Sequence, residues 1–260
     1  MTKIGFIGTG HMGGSIALAL KDAPYTLYLN NRTENKAKVL KEQIPSAILA
    51  SQKTIMENCD LVFLGVKPKD VKDVLMGLRD YGGGAVIVSM AAGVYLKDME
   101  SLLPNCFIRI MPNTPVLYHS GVTLVSYGKG VNESTKCLLK EILQVTGAYL
   151  EIEEGQMDSL GVLTGSAPAY LDYFLDALIK ATMNQGYDEE TATTLTLKMA
   201  EGVIKLALES KTPPQELGKA ICTPGGSSIE GVNVLLQRDL YQNVSDAYQA
   251  TLNKNKKMVG

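Results

Sequence analysis

Six residues near the N-terminus constrain the fold of this chain more than any other feature. They match the pattern GxGxxG, directly after a short apolar run at residues 4–8 and before a helical run at residues 15–20: Gly8, Thr9, Gly10, His11, Met12 and Gly13. In a strand–turn–helix unit the first glycine permits a tight turn, the second lets the backbone approach a pyrophosphate, and the third allows close helix packing. Free N–H groups at the helix start then face the anion. The context predicts a dinucleotide site, with His11 as a spacer rather than a base, and makes a purely structural glycine turn the weaker alternative.

The first part of the chain alternates β-type runs with helical patterns. The clearest strand candidates are residues 4–8, 26–30, 61–66, 85–89 and 107–110, and weaker ones near residues 122–125 and 148–152 could extend the same sheet. Such alternation is typical of a parallel sheet covered by helices. We therefore expect an α/β Rossmann-type N-terminal domain over residues 1–154.

From Gln156 onward the character of the sequence changes and β-type runs become rare. Apolar residues recur at the three- and four-residue spacing of a buried helical stripe, at Leu171, Phe174, Leu175, Leu178 and Ile179. A further run at residues 189–209 is apolar on more than one side, as in a helix enclosed by its neighbours or by another subunit. The pattern predicts an all-α C-terminal domain over residues 155–260 and makes oligomerisation plausible.

The end of the second strand bears on which nicotinamide dinucleotide would bind. NAD-specific folds place an acid here against the ribose 2′-hydroxyl, but this chain has Asn31, Arg32 and Thr33. These side chains supply hydrogen-bond donors, and a guanidinium can form two parallel hydrogen bonds with a phosphate. NADPH is therefore favoured over NADH, which could bind more weakly. A solvated arginine at a strand end is the structural alternative.

The charge balance and residue composition indicate which kinds of molecule this protein can bind. Lys plus Arg number 25 against 27 Asp plus Glu, so no overall positive field recruits nucleic acid or an anionic membrane. The only histidines are His11 and His119, and the four cysteines are scattered without metal-ligand spacing, which predicts no metal site. The N-terminal apolar run is too short for a signal peptide and no segment reaches membrane-spanning length, so we expect a cytoplasmic protein that acts on a small molecule.

Three later loops follow predicted strands and should border the dinucleotide, because open α/β sheets bind ligands at the carboxyl ends of their strands. Each could be an ordinary Gly/Pro turn when taken alone. The candidate contacts are Val66, Lys67 and Pro68 in the first loop, Ala91, Ala92 and Gly93 in the second, and Asn113 in the third.

Taken together, the motifs resemble the pyrroline-5-carboxylate reductase family. FIGTGHMG, VKP, SMAAG, MPNTP, TGSAPAY and CTPGGSSIEG occur in the family's order over nearly the whole chain. The resemblance implies a Rossmann domain and a helical dimerisation domain that intertwines with a second copy, often in rings of dimers. It also implies NADPH-dependent reduction of 1-pyrroline-5-carboxylate to L-proline. The chain departs from the family at Ser227 and Ser228, where two threonines are usual, at Ala167, and at Lys219, where an aspartate is typical.

The last motif contains a glycine turn that leads into a helix. Unpaired N–H groups at that helix start suit a carboxylate, and a serine could cap the helix. An ordinary capped helix is the alternative from the residues alone, and the resemblance favours a cradle for the substrate carboxylate. The substrate-binding candidates are Gly225, Gly226, Ser227 and Ser228, and Ser228 is the candidate catalytic hydroxyl for the imine nitrogen.

Two other functions remain open from the sequence. A β-hydroxyacid dehydrogenase shares this plan and uses Lys and Asn four residues apart, a spacing found at Lys180 and Asn184. These two residues lie well downstream of Gly165, whereas that family places its lysine shortly after a glycine cluster. A non-catalytic NADP-binding sensor is the second alternative, and turnover would distinguish it from an enzyme.

Overall fold

The structure, a computed structural model, describes residues 1–259, with side chains for residues 1–255. The chain divides into two compact units: Met1–Gly165 together with the chain from Leu252 onward, and Ser166–Thr251. The first unit continues past Glu154, where the sequence suggested a boundary, because residues 154–161 pack against the strands of that unit. The functional boundary near Glu154 stays a prediction.

Within the described residues, eight strands form one sheet in the order β3-β2-β1-β4-β5-β6-β7-β8. All neighbouring strands run parallel except β6 and β7, which are antiparallel. The strands are β1 Lys3–Ile7, β2 Thr26–Asn30, β3 Ile48–Leu49, β4 Leu61–Leu64, β5 Val86–Ser89, β6 Phe107–Met111, β7 Gly121–Tyr127 and β8 Gly147–Glu151. The expected α/β architecture is confirmed. The two-residue β3 and the reversed direction of β7 were not predicted.

Helices cover both faces of the sheet in the first unit. They are α1 His11–Ala19, α2 Glu34–Gln43, α3 Gln52–Asn58, α4 Val71–Leu78, α5 Leu96–Leu102, α6 Glu133–Thr146 and α7 Met157–Gly161. One buried cluster joins residues of α1, α2 and α6 to the sheet, and a second joins residues of α3, α4 and α5 to its other face. Helix α1 begins at His11, four residues before the predicted start, so the third glycine of the motif lies inside the helix.

The second unit is helical, which confirms the expected fold class. Its helices are α8 Ala167–Met183, α9 Glu189–Ser210, α10 Pro214–Ile221, α11 Ser227–Gln237 and α12 Leu240–Val259, which begins in this unit. The buried stripe expected on α8 is wrong for the single chain: none of its residues, all of which the structure describes, is buried, and Leu171 and Phe174 are exposed. Helix α9 likewise exposes Leu195, Leu206 and Leu208. The periodicity identified a helix correctly, but within one chain this apolar surface faces solvent.

Candidate active site

The predicted cofactor residues gather at one edge of the sheet in the first unit. Strands β1, β2, β4, β5 and β6 run parallel, so the loops that follow them share the carboxyl-end edge. These loops contain the glycine turn, Asn31 to Thr33, Val66 to Pro68, Ala91 to Gly93, and Asn113. The four substrate candidates lie in the second unit.

The backbone of the glycine turn requires its glycines. Gly8 has φ +98°, and a Cβ there would lie 2.7 Å from the backbone carbonyl of Gly65. A Cβ at Gly13 would lie 2.3 Å from the Gly8 oxygen. Only residues without a side chain allow such contacts. Gly65 belongs to this packing but was not among the predicted site residues, although a glycine directly after a buried strand was a usable signal.

The same turn offers unused hydrogen-bonding groups of the kind a pyrophosphate needs. Thr9 is buried, and its Oγ1 has no hydrogen-bond partner among the described residues. Gly10 precedes α1, and no side chain caps the helix. The first N–H groups of a helix lack acceptors within it and carry the positive end of its dipole. The turn therefore fits a dinucleotide phosphate both in shape and in charge.

Asn31 does not act mainly as a donor toward a phosphate. Its Oδ1 accepts a hydrogen bond from the backbone N–H of Thr9 at 3.0 Å, and its Nδ2 donates to the backbone oxygen of Thr33 at 3.0 Å. Arg32 has a side chain that is 86% exposed, and the Thr33 side chain makes no capping bond at the start of α2. The groups available to a 2′-phosphate are thus chiefly those of Arg32 and Thr33.

The loops after β4 and β5 place further candidates along the same edge. Val66 packs against the turn, since its Cγ1 would lie 3.0 Å from a Cβ at Gly8. Lys67 and Pro68 are exposed at the start of a 3₁₀ turn, Pro68–Asp70. Ala91 is buried, and its N–H donates to Ser89 Oγ at 3.3 Å, whereas Ala92 is exposed and Gly93 has φ +72°.

Asn113 is engaged by the protein at both ends of its buried side-chain amide. Its Oδ1 accepts a hydrogen bond from the N–H of Val122 at 2.7 Å, and its Nδ2 donates to the carbonyl of Thr164 at 3.0 Å. Thr164 lies in a π-helical turn, Val162–Ser166. Such turns are often found at functional sites. Asn113 therefore anchors this turn to the sheet, a role that the motif alone did not reveal.

A buried cation near this edge was missed by the sequence interpretation. Arg109 on β6 has a side chain that is 1% exposed, and its guanidinium lies 3.1 Å from Asp158 and 3.4 Å from Glu154. It also lies 4.9 Å from the ring centre of Tyr95, whose hydroxyl donates to Asp158 at 2.8 Å. That hydrogen bond, followed by burial, raises the pKa of Tyr95. The cluster fixes the starts of α5 and α7 on β6, and an arginine within an apolar strand was the available signal.

The glycine turn in the second unit precedes α11. Gly225 has φ +76°, a conformation that favours glycine, and Gly226 takes the cap position with no side-chain capping bond. The expected serine cap is therefore wrong, because Ser227 and Ser228 are already the first two helical residues. Both are exposed, and their N–H groups belong to the helix start, where intrahelical acceptors are absent. This is a local geometry that can hold a carboxylate.

Lys180 and Asn184 do not form a catalytic arrangement in this structure. The Nζ of Lys180 donates to Asp176 at 2.6 Å on the exposed surface of α8. This hydrogen bond raises the pKa of Lys180, whereas a general base needs a lowered one. Across the described residues no group of His, Cys, Asp and Glu is arranged to hold a metal ion. No helix in residues 1–259 combines the length and apolarity needed to cross a membrane.

Comparisons with known proteins cover both parts of the chain. Residues 154–258 match a family model described as pyrroline-5-carboxylate reductase dimerisation, and residues 3–93 match one described as NADP oxidoreductase, coenzyme F420-dependent. The pyrroline-5-carboxylate reductase of Aquifex aeolicus is 32% identical over 98% of this chain and 97% of its own length. A solved pyrroline-5-carboxylate reductase from Coxiella burnetii is 29% identical with a TM-score of 0.90 and covers 98% of each chain. The Plasmodium falciparum pyrroline carboxylate reductase with NADP bound is 26% identical, has a TM-score of 0.87, and covers 100% of this chain and 98% of its own. The chain belongs to the pyrroline-5-carboxylate reductase family.

Proposed function

We propose that this protein reduces 1-pyrroline-5-carboxylate to L-proline with NADPH, the last step of proline biosynthesis. The observation that carries the proposal is the 32% identity to a pyrroline-5-carboxylate reductase over 98% of the chain. A nucleotide site alone would fit many oxidoreductases, because one fold supports many reactions. The match also includes the helical part, which contains the turn proposed to bind the substrate.

NADPH fits the edge of the sheet in the first unit. The glycine turn, with the unpartnered hydroxyl of Thr9 and the start of α1, would hold the pyrophosphate. Arg32 and Thr33 would hold the 2′-phosphate, and the loops at Val66 to Pro68 and Ala91 to Gly93 would border the nucleotide. When bound, NADPH supplies the hydride for the C=N bond.

The turn at Gly225 to Ser228 is the proposed site for the substrate. The N–H groups at the start of α11 would bind the carboxylate, because a helix start favours an anion. The hydroxyl of Ser228 would form a hydrogen bond with the ring nitrogen, which gains an electron pair during reduction. A cyclic imine can bind already protonated, so catalysis can depend mainly on positioning and needs no strong protein acid.

The helical part is the proposed dimerisation and substrate domain, over residues 155–260, beside an NADP-binding domain over residues 1–154. Large apolar side chains are exposed along α8, α9 and α11, a surface that a second copy would cover: Leu171, Phe174, Leu195, Leu206, Leu208, Val234 and Leu236. The assembly would be a homodimer or a larger ring of dimers. The cytoplasmic location and the absence of nucleic-acid partners remain predictions from the sequence.

The test is a turnover assay with purified protein, NADPH and pyrroline-5-carboxylate. The proposal predicts NADPH consumption that depends on both the imine and the enzyme, with NADH used less efficiently. A parallel reaction with a β-hydroxyacid and NADP⁺ should give no turnover. Nucleotide binding without consumption of NADPH would instead indicate a sensor and contradict the proposal.

A further inference from the structure

An ion pair bridges two loops on either side of the glycine turn. Nη1 of Arg32, after β2, lies 3.6 Å from Oδ1 of Asp70, which ends the 3₁₀ turn after β4. Strand β1 lies between β2 and β4 in the sheet. Strands two apart are separated by roughly 10 Å, so the two side chains together span the carboxyl end of β1. The pair therefore crosses the edge at which the glycine turn lies.

The two side chains of this ion pair differ in their exposure to solvent. The Asp70 side chain is 24% exposed, whereas that of Arg32 is 86% exposed. Asp70 takes the cap position of α4 but makes no capping hydrogen bond, so its carboxylate is directed to Arg32 instead. Asp70 is thus the fixed partner. An exposed arginine side chain samples many rotamers and loses this conformational entropy when it binds a phosphate. An acceptor that already restricts the side chain reduces that loss.

We propose that Asp70 is a positioning residue for cofactor selection, which holds the Arg32 guanidinium across the end of β1 where it can meet the 2′-phosphate of NADPH. The inference rests on the proposed function only in its choice of cofactor. Arginine has five N–H donors, so one nitrogen can stay with Asp70 while the others bind phosphate. Lys67 and Lys69 are exposed on the same loop, so the formal charge of this loop stays positive despite Asp70.

A positioning role predicts an effect on one cofactor alone. NADH lacks the 2′-phosphate, so loss of Asp70 should leave its binding unchanged. Exposed ion pairs contribute little, and we expect NADPH to bind about two- to fivefold more weakly. If Asp70 only maintained the structure of the loop after β4, its loss would weaken the binding of NADPH and NADH alike.

The experiment measures the dissociation constants of NADPH and NADH by titration calorimetry, without substrate, for the unsubstituted protein, Asp70→Ala, Arg32→Ala and the double variant. Asp70→Ala should weaken the binding of NADPH but not of NADH. It should have no further effect on NADPH binding in the Arg32→Ala background. Asp70→Asn keeps an acceptor for Arg32, so its dissociation constant for NADPH should lie between those of the unsubstituted protein and Asp70→Ala. Asp73→Ala removes an exposed acid from the first turn of the same helix and is the matched control, with no expected change.

Equal weakening of both cofactors, unchanged or tighter NADPH binding in Asp70→Ala, or the same shift in Asp73→Ala would overturn the inference. Lack of turnover with pyrroline-5-carboxylate would contradict the proposed function but leave these binding constants interpretable. Failure of the unsubstituted protein to bind NADPH would contradict both.

Discussion

The backbone N–H of Thr9 donates a 3.0 Å hydrogen bond to Oδ1 of Asn31. Asn31 also donates to the carbonyl of Thr33 at 3.0 Å, so one amide connects the glycine turn to the loop after β2. In NAD-specific folds this region carries an acid that binds the ribose hydroxyls. Here a neutral side chain connects both loops, so position 31 itself adds no negative charge to this part of the edge.

Replacing Asn31 with Asp should change cofactor preference. The carboxylate keeps the acceptor for Thr9 but loses the donor to Thr33, and it places a like charge beside the phosphate. We expect the NADPH-to-NADH ratio of kcat/KM to fall about tenfold or more, equivalent to roughly 1.4 kcal/mol. Asn31→Ala removes the connection without adding charge. It should therefore lower kcat/KM with NADPH and with NADH to a similar extent. An unchanged ratio in Asn31→Asp would show that the 2′-phosphate lies elsewhere.

Ser228 can be tested by removing only its hydroxyl. One hydrogen bond contributes about 0.5–1.5 kcal/mol net, so Ser228→Ala should lower kcat/KM for the imine roughly twofold to tenfold, while NADPH affinity stays the same. Ser228→Thr keeps the hydroxyl and should retain activity. If Ala matches the unsubstituted enzyme and Thr is inactive, the turn acts by shape alone. Loss of NADPH binding in Ser228→Ala would place this residue on the cofactor.

The Arg109 cluster predicts a large stability effect from one buried charge. Arg109→Met leaves Glu154 and Asp158 without their cation, and breaking a buried ion pair in this way costs about 3–5 kcal/mol. Because both acids are partly exposed, at 25% and 29%, we expect the lower end of that range. Urea unfolding at a fixed protomer concentration measures the change. Lys136→Met breaks a more exposed pair with Glu133 and should lower the stability far less than Arg109→Met does. Equal losses in the two variants would contradict the assigned role of Arg109.

The exposed apolar surface predicts how the oligomer can be disrupted. Leu206 on α9 is 52% exposed in the single chain, and Leu206→Glu would place an unpaired charge in an interface between copies. Light scattering should report a dimer or larger assembly for the unsubstituted protein and a smaller species for this variant. Val39 on α2, 46% exposed in the other unit, provides the control Val39→Glu, which should leave the assembly intact. A well-folded, active monomer of the unsubstituted protein at micromolar concentration would refute the interface.

Local sequence predicted what depends on local geometry. The glycine turn at Gly8 was identified because its backbone conformation and its contact with Gly65 require missing side chains, which leaves a pattern in the sequence. The two-residue β3 and the direction of β7 depend on backbone pairing with neighbouring strands, which leaves no such pattern.

The errors at the candidate site have two origins, one local and one beyond the single chain. The expected serine cap of α11 was wrong because Gly226 takes that position, and the stripe on α8 is exposed because burial there would need atoms from outside the single chain. The contacts of Asn113 with Thr164 and of Arg32 with Asp70 join residues far apart in sequence. Residue type indicated which groups were available, but only the fold determines which of them are already used.

The most direct test of the proposed reaction follows the hydride itself. NADPH carrying deuterium at the transferred position of the nicotinamide is incubated with the protein and unlabelled pyrroline-5-carboxylate, and the product is analysed by mass spectrometry and NMR. Hydride transfer to the imine should yield L-proline with one deuterium on the ring carbon that formed the C=N bond, in amounts equal to the NADPH consumed. Consumption of NADPH without labelled proline, or no consumption at all, would contradict the proposed reaction.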